Sequence, residues 1–216
     1  MLPMNRILVI VFSNIKSSQK DIFKALFLII FLLSMIQFMH IWRGIPYENL
    51  VRDPNAIANL PKYIGFISQF GIFLWFASVG ICFMGYFLIR GIESVNPQSK
   101  YLLYFGIFSL ILGLDDAYML HEELAHRGLY EEMFFGVYAV MLLVFILKFL
   151  KLFFQTHFIL LILSGFCLAS SIAVDKYDHT LFLLDDSFKV SGIIFWFVYF
   201  FRTVYTFCKG SINTEV

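Results

Sequence analysis

YLLYFGIFSLILGLDDAYMLHEEL, residues 101–124, is the stretch on which the reading of this chain turns. Tyr101 to Leu114 is uncharged and apolar but only 14 residues long. At ~1.5 Å per residue that covers roughly 21 Å, against about 30 Å for a bilayer core. A membrane helix starting after Lys100 must therefore run on through Asp115 and Asp116, to about Leu120, to get across. Two carboxylates then fall inside the membrane boundary, with His121 and Glu122 one to two turns further on. Carboxylates in that position are costly, and they usually face a cavity, a partner or a metal.

Composition agrees with a membrane reading. Hydrophobic residues make up 60% of the 216 and charged residues 14%, with a mean hydropathy of +0.82. A soluble domain has about 25% charged residues. The expected fold is all-α: one polytopic membrane helix bundle with about six transmembrane helices and a single domain. A net charge of +1 makes no case for nucleic-acid binding. Membrane lipids are the expected partners, and a homo-oligomer is compatible with the composition. Cys82, Cys167 and Cys208 lie within or at the ends of apolar runs without metal-ligand spacing, so they read as buried free thiols. Ile7 to Phe12 is too short for the core of a signal peptide, so the first long apolar run is expected to act as an uncleaved anchor.

Six segments are long enough, or nearly so, to span: 25–42, 63–89, 101–120, 133–154, 158–174 and 186–208. All five prolines lie outside them, as residues that punctuate loops should. With the amino terminus in the cytoplasm, ten lysines and arginines fall on that side and six on the other. The bias predicts both termini inside and a cytoplasmic (inner) membrane location. Of the acids, only Asp21, Glu93 and Glu215 share the inner side. The outer face is thus rich in carboxylate and imidazole, which suit divalent metals.

Helical geometry sorts these groups. At 100° per residue, Asp115, Glu122 and His126 fall within about 40° of one another, while His121 points roughly 140° from His126. His-Glu-Glu-Leu-Ala-His, residues 121–126, is one residue too long for the zincin pattern. On the fifth segment Asp175 and His179 are again four apart, and the sixth opens with Asp185, Asp186 and Lys189. Three helices thereby bring ionisable groups toward one level. Candidate ligands for zinc, manganese or iron are Asp115, Glu122, His126, Asp175, His179 and Asp186. Asp116 and Glu123 are the candidate catalytic bases. The plainer reading is a wet juxtamembrane rim, with Asp186 capping the sixth helix and Lys189 paired with Asp185. Gly165, Ala169 and Ala173 form a small-residue stripe expected to serve close helix packing.

Leu114-Asp115-Asp116 followed by His121-Glu122, then Leu184-Asp185-Asp186 with Lys189 and Gly192, resembles a group of small, uncharacterised bacterial multi-pass membrane proteins. The resemblance implies that both acidic clusters belong to one site, and it implies no activity. The leading expectation is a metal-dependent hydrolase of a lipid or membrane-proximal substrate. The alternatives are a cation- or proton-conducting transporter or channel with an acidic outer vestibule, or a membrane partner or sensor subunit. The residues do not decide whether the protein is an enzyme.

Overall fold

The computed structural model describes residues 23, 27, 29–31, 33–51, 54–61, 63–92, 97–121, 123, 130–177 and 181–213. It falls into two units, Met1–Ile64 and Gly65–Val216. In the first, α1 (Ile29–Arg43) is followed by α2 (Tyr47–Val51) and α3 (Pro54–Ile57). Gly44, with φ 65°, takes the left-handed conformation that ends α1. His40 then donates from Nδ1 to the Ile45 carbonyl at 2.8 Å, and its ring stacks on Tyr47. The Tyr47 hydroxyl donates to Gln37 Oε1 at 2.6 Å, which ties α2 back onto α1.

Among its described residues the second unit carries α4 (Phe66–Ile92), α5 (Pro97–Tyr118), α6 (Glu131–Lys148), α7 (Leu150–Gln155), α8 (Phe158–Tyr177) and α9 (Phe182–Asn213). There is no strand among the described residues. Pro97 stands at the first position of α5, where a missing N–H removes no helical bond. The helix therefore begins before Lys100, and its 22 residues cover about 33 Å at 1.5 Å per residue. It reaches across a bilayer by Tyr118, without the extension to Leu120 that a start at Tyr101 required.

Among the described residues, four stretches are long and apolar enough to cross a membrane: Phe66–Arg90, Pro97–Tyr118, Phe158–Tyr177 and Leu183–Gly210. At most 44% of any of them is buried within the protein, so most of their apolar surface faces outward. Water would penalise that surface and lipid would not. The remaining expected spans are shorter helices, Ile29–Arg43 and Met133–Lys148. The fourth span, read as 133–154, is not one helix: Phe149 (φ −115°, ψ 29°) separates α6 from α7. Four long helices and two shorter apolar ones thus stand where six full spans were expected.

Close approach at glycine sets the packing. α4 lies against α5 and α9, and α8 against α9. A Cβ on Gly106 would lie 3.1 Å from Cys82 Cβ, and one on Gly113 would lie 3.0 Å from Trp75 Cβ. These glycines are seven apart, on one face of α5, and let it approach α4 closely. Gly192 of α9 plays the same part against Leu168 of α8, where Ser164 Oγ donates to the Gly192 carbonyl at 2.7 Å. The stripe of Gly165, Ala169 and Ala173 is not the packing face. Nothing lies within 4 Å of a Cβ on Gly165, and α8 instead buries Leu161, Ser164, Cys167 and Ser171. Small residues permit close contact, but the rotation of the neighbouring helix decides which face is used.

Trp196 anchors the core, its ring centroid 5.5 Å from Trp75, 5.8 Å from Phe108 and 5.2 Å from Phe200. Its buried indole N–H donates to Ser109 Oγ at 2.9 Å, and Ser109 donates to the Phe105 carbonyl at 2.8 Å. This chain satisfies polar atoms that would otherwise be costly in an apolar interior. Nearer the Tyr101 end, the Tyr101 and Tyr199 hydroxyls meet, and Thr156 Oγ1 lies 2.9 Å from the Tyr199 hydroxyl. Phe145 packs edge-on against Tyr104, Phe105 and Phe108 and fastens α6 to α5. The three cysteines are free thiols, Cys82 and Cys167 buried and Cys208 half-buried.

Candidate functional site at the end of α5

The last turn of α5 carries Asp115 and Asp116, about 100° apart around the helix axis. That angle sends them to different neighbours. Just beyond, Met119 takes a left-handed backbone, φ 48°, which a residue with a Cβ adopts only at a cost. The turn brings His121 back over the helix end. The His121 backbone N–H donates to Asp115 Oδ1 and its Nδ1–H donates to Asp115 Oδ2, both at 2.9 Å. The Tyr138 hydroxyl of α6 stands near this carboxylate. The Phe135 ring packs 5.2 Å from the imidazole. Asp115 is only 5% exposed, so its charge relies on these donors.

This geometry corrects the expected stripe. A regular helix through residue 126 would place Asp115, Glu122 and His126 on one face, but α5 stops at Tyr118. The left-handed residue breaks the helical phase. It delivers to Asp115 the histidine that regular geometry turns away. Glu122, His126 and His179 lie outside the described residues. Glu123 is exposed, and its N–H donates to the Met119 carbonyl at 3.0 Å.

Asp116 turns toward α4 and α9. Lys189 Nζ lies 2.5 Å from its Oδ1, with the aspartate side chain 10% exposed and the lysine 40%. Asp116 also lines a cavity of about 20 Å³ with Ser68, Gly71, Asp186, Lys189 and Ile193. Its Oδ2 is buried and has no hydrogen-bond partner among the described residues. Lys189 therefore pairs with Asp116, not with Asp185 as the plainer reading has it. Asp185 instead accepts a hydrogen bond from Ser171 of α8, while its neighbour Asp186 meets the cavity. Asp175 is half-buried in the last turn of α8.

Among the described residues, no three of His, Cys, Asp and Glu stand together so as to hold a metal ion. Of the expected site residues, the structure brings Asp116 and Asp186 to one cavity and gives Asp115 a different environment beside α6. His121, Tyr138 and Ser171 are the partners that sequence periodicity missed. None of the three carries a repeating signal that marks it, because each acts across a turn or between helices.

The fold and this polar helix end define a helix bundle of multi-pass membrane type with an acidic cluster at one end. The chain belongs to the family described as Domain of unknown function (DUF8692), which matches residues 24–203. Neither a curated protein nor a solved structure matches it.

Proposed function

We propose that this is a six-span protein of the cytoplasmic membrane, both termini inside, whose Asp115 end faces outward as a divalent-metal hydrolase site. Its substrate class is a lipid or another ester, amide or phosphate presented at the membrane surface. The supporting observation is the double grip of Asp115 on His121. With the Nδ1 proton directed to a buried carboxylate, the basic lone pair of the imidazole belongs to Nε2. That is the carboxylate-oriented form in which histidine binds a metal or accepts a proton.

In this reading His121 is a ligand and Asp115 positions it. From the sequence, Glu122, His126, Asp175 and His179 are the donors proposed to complete a set for zinc, manganese or iron. Glu123 takes the role of base, while Asp116 is paired with Lys189. A bound divalent ion would supply a water of lowered pKa.

Elemental analysis of the protein purified in detergent tests the reading. Wild type is expected to carry close to one equivalent of metal, and His121→Ala to lose it. Chelator should lower the melting temperature, and zinc or manganese should restore it. Selective binding to the folded state contributes roughly 2.7 kcal/mol at a hundredfold excess over Kd. Metal-free wild type whose melting is indifferent to chelator would remove the metal-site reading. A cation-conducting vestibule or a partner subunit would then stand in front.

A further inference from the structure

We infer that the cavity between α4, α5 and α9 is a binding site for one monovalent alkali cation, held by Asp116, Asp186 and Ser68. It is distinct from the His121 site, because Asp115 faces α6 whereas Asp116 faces the opposite neighbours.

Four observations converge on this. Asp116 is nine-tenths buried; one carboxylate oxygen meets Lys189 and the other, Oδ2, is buried with no partner among the described residues. A buried carboxylate oxygen without a donor or cation is costly, and a native protein needs a reason to keep one. The cavity of about 20 Å³ has room for one occupant the size of a water molecule. Ser68 and Asp186, both exposed, also line it and are the further oxygen-bearing residues at its wall. Finally, Gly71 lines the cavity, and a Cβ there would lie 3.9 Å from Asp116 Oδ2. The glycine keeps open the space beside the orphaned oxygen.

Charge and coordination select the class of ligand. Two carboxylates and one ammonium leave a single negative charge, which one monovalent cation balances. Carboxylate and hydroxyl oxygens are hard donors and favour hard cations. Calcium takes six to eight oxygen ligands, and magnesium keeps several waters. With the Lys189 ammonium already beside Asp116, the remaining single charge matches a monovalent ion better than either of these.

The test uses the full chain in detergent, in sodium chloride or in choline chloride at equal ionic strength. Sodium should raise the melting temperature saturably, and radioactive sodium should bind with a stoichiometry near one. Asp116→Asn should abolish both responses. Gly71→Ala guards against misfolding of that variant. The nearest atom to its new methyl is Ile193 Cδ1 at 3.0 Å, the movable end of a side chain. It should fold normally and weaken apparent sodium affinity at least tenfold. His121→Ala should leave the sodium response intact, so this site and the metal site can fail separately. Equal melting in sodium and choline, with no stoichiometric sodium bound to folded wild type, would overturn the proposal and assign the cavity to water. A full sodium response in both Asp116→Asn and Gly71→Ala would also overturn it, because the cation would then bind elsewhere.

Discussion

Replacing Asp115 with alanine and His121 with alanine, singly and together, separates two bonds that one carboxylate makes. His121→Ala removes the ring bond to Oδ2 but keeps the backbone N–H on Oδ1. Asp115→Ala removes both. A hydrogen bond to a charged group contributes about 1.5–3 kcal/mol, so His121→Ala should cost about that much. Asp115→Ala forfeits at least two such bonds. Water can reach part of the imidazole, whose side chain is 15% exposed, so the full sum is not expected. We expect about 3–5 kcal/mol for Asp115→Ala and a coupling of about 1–2 kcal/mol in the double-mutant cycle. Reversible unfolding in mixed detergent micelles measures all four proteins. If Asp115→Ala costs no more than His121→Ala, the carboxylate does not hold the turned backbone. If the two effects simply add, the ring bond does not exist in solution.

Two further outcomes follow from the packing and from the charge distribution. Gly192→Ala places a Cβ 2.7 Å from Leu168 Cγ and 3.1 Å from the Leu168 backbone nitrogen, which overpacking should make costly by about 1–3 kcal/mol. Gly165→Ala meets nothing within 4 Å and should stabilise α8 by about 0.5–1 kcal/mol; matching melting temperatures for the pair would contradict the α8–α9 contact. Reporter fusions after Val216 and within Asn55–Asn59 should report opposite sides of the membrane, and the same side for both would discard the six-span topology.

Much of the fold was legible because burial in lipid imposes long uninterrupted apolar runs and pushes proline to their ends. Segments 63–89, 158–174 and 186–208 fall within the helices Phe66–Ile92, Phe158–Tyr177 and Phe182–Asn213 to within a few residues at each end. The fourth segment was less legible. Its apolar run continues past the break at Phe149, and hydropathy does not register a change in backbone dihedral. Hydropathy puts the start of this span after Lys100, whereas α5 starts at Pro97 and carries Lys100 in its first turn. A charged side chain near a helix end can keep its head group at the interface while its stem remains beside apolar surface.

The candidate site shows the division most clearly. By itself the sequence determined that this is an apolar helical chain, and that Asp115, Asp116, Asp185 and Asp186 sit near the ends of its spans. It also determined that neighbouring acids on a helix must diverge by about 100°. Only the tertiary structure decided where each one leads: Asp115 to His121 and Tyr138, Asp116 to Lys189, Asp185 to Ser171, and Asp186 to the cavity. The physical reason is that periodicity predicts neighbours only while the helix keeps its phase. One left-handed residue, Met119, ends that phase, and the partners of the remaining acids depend on how adjacent helices are rotated when they pack.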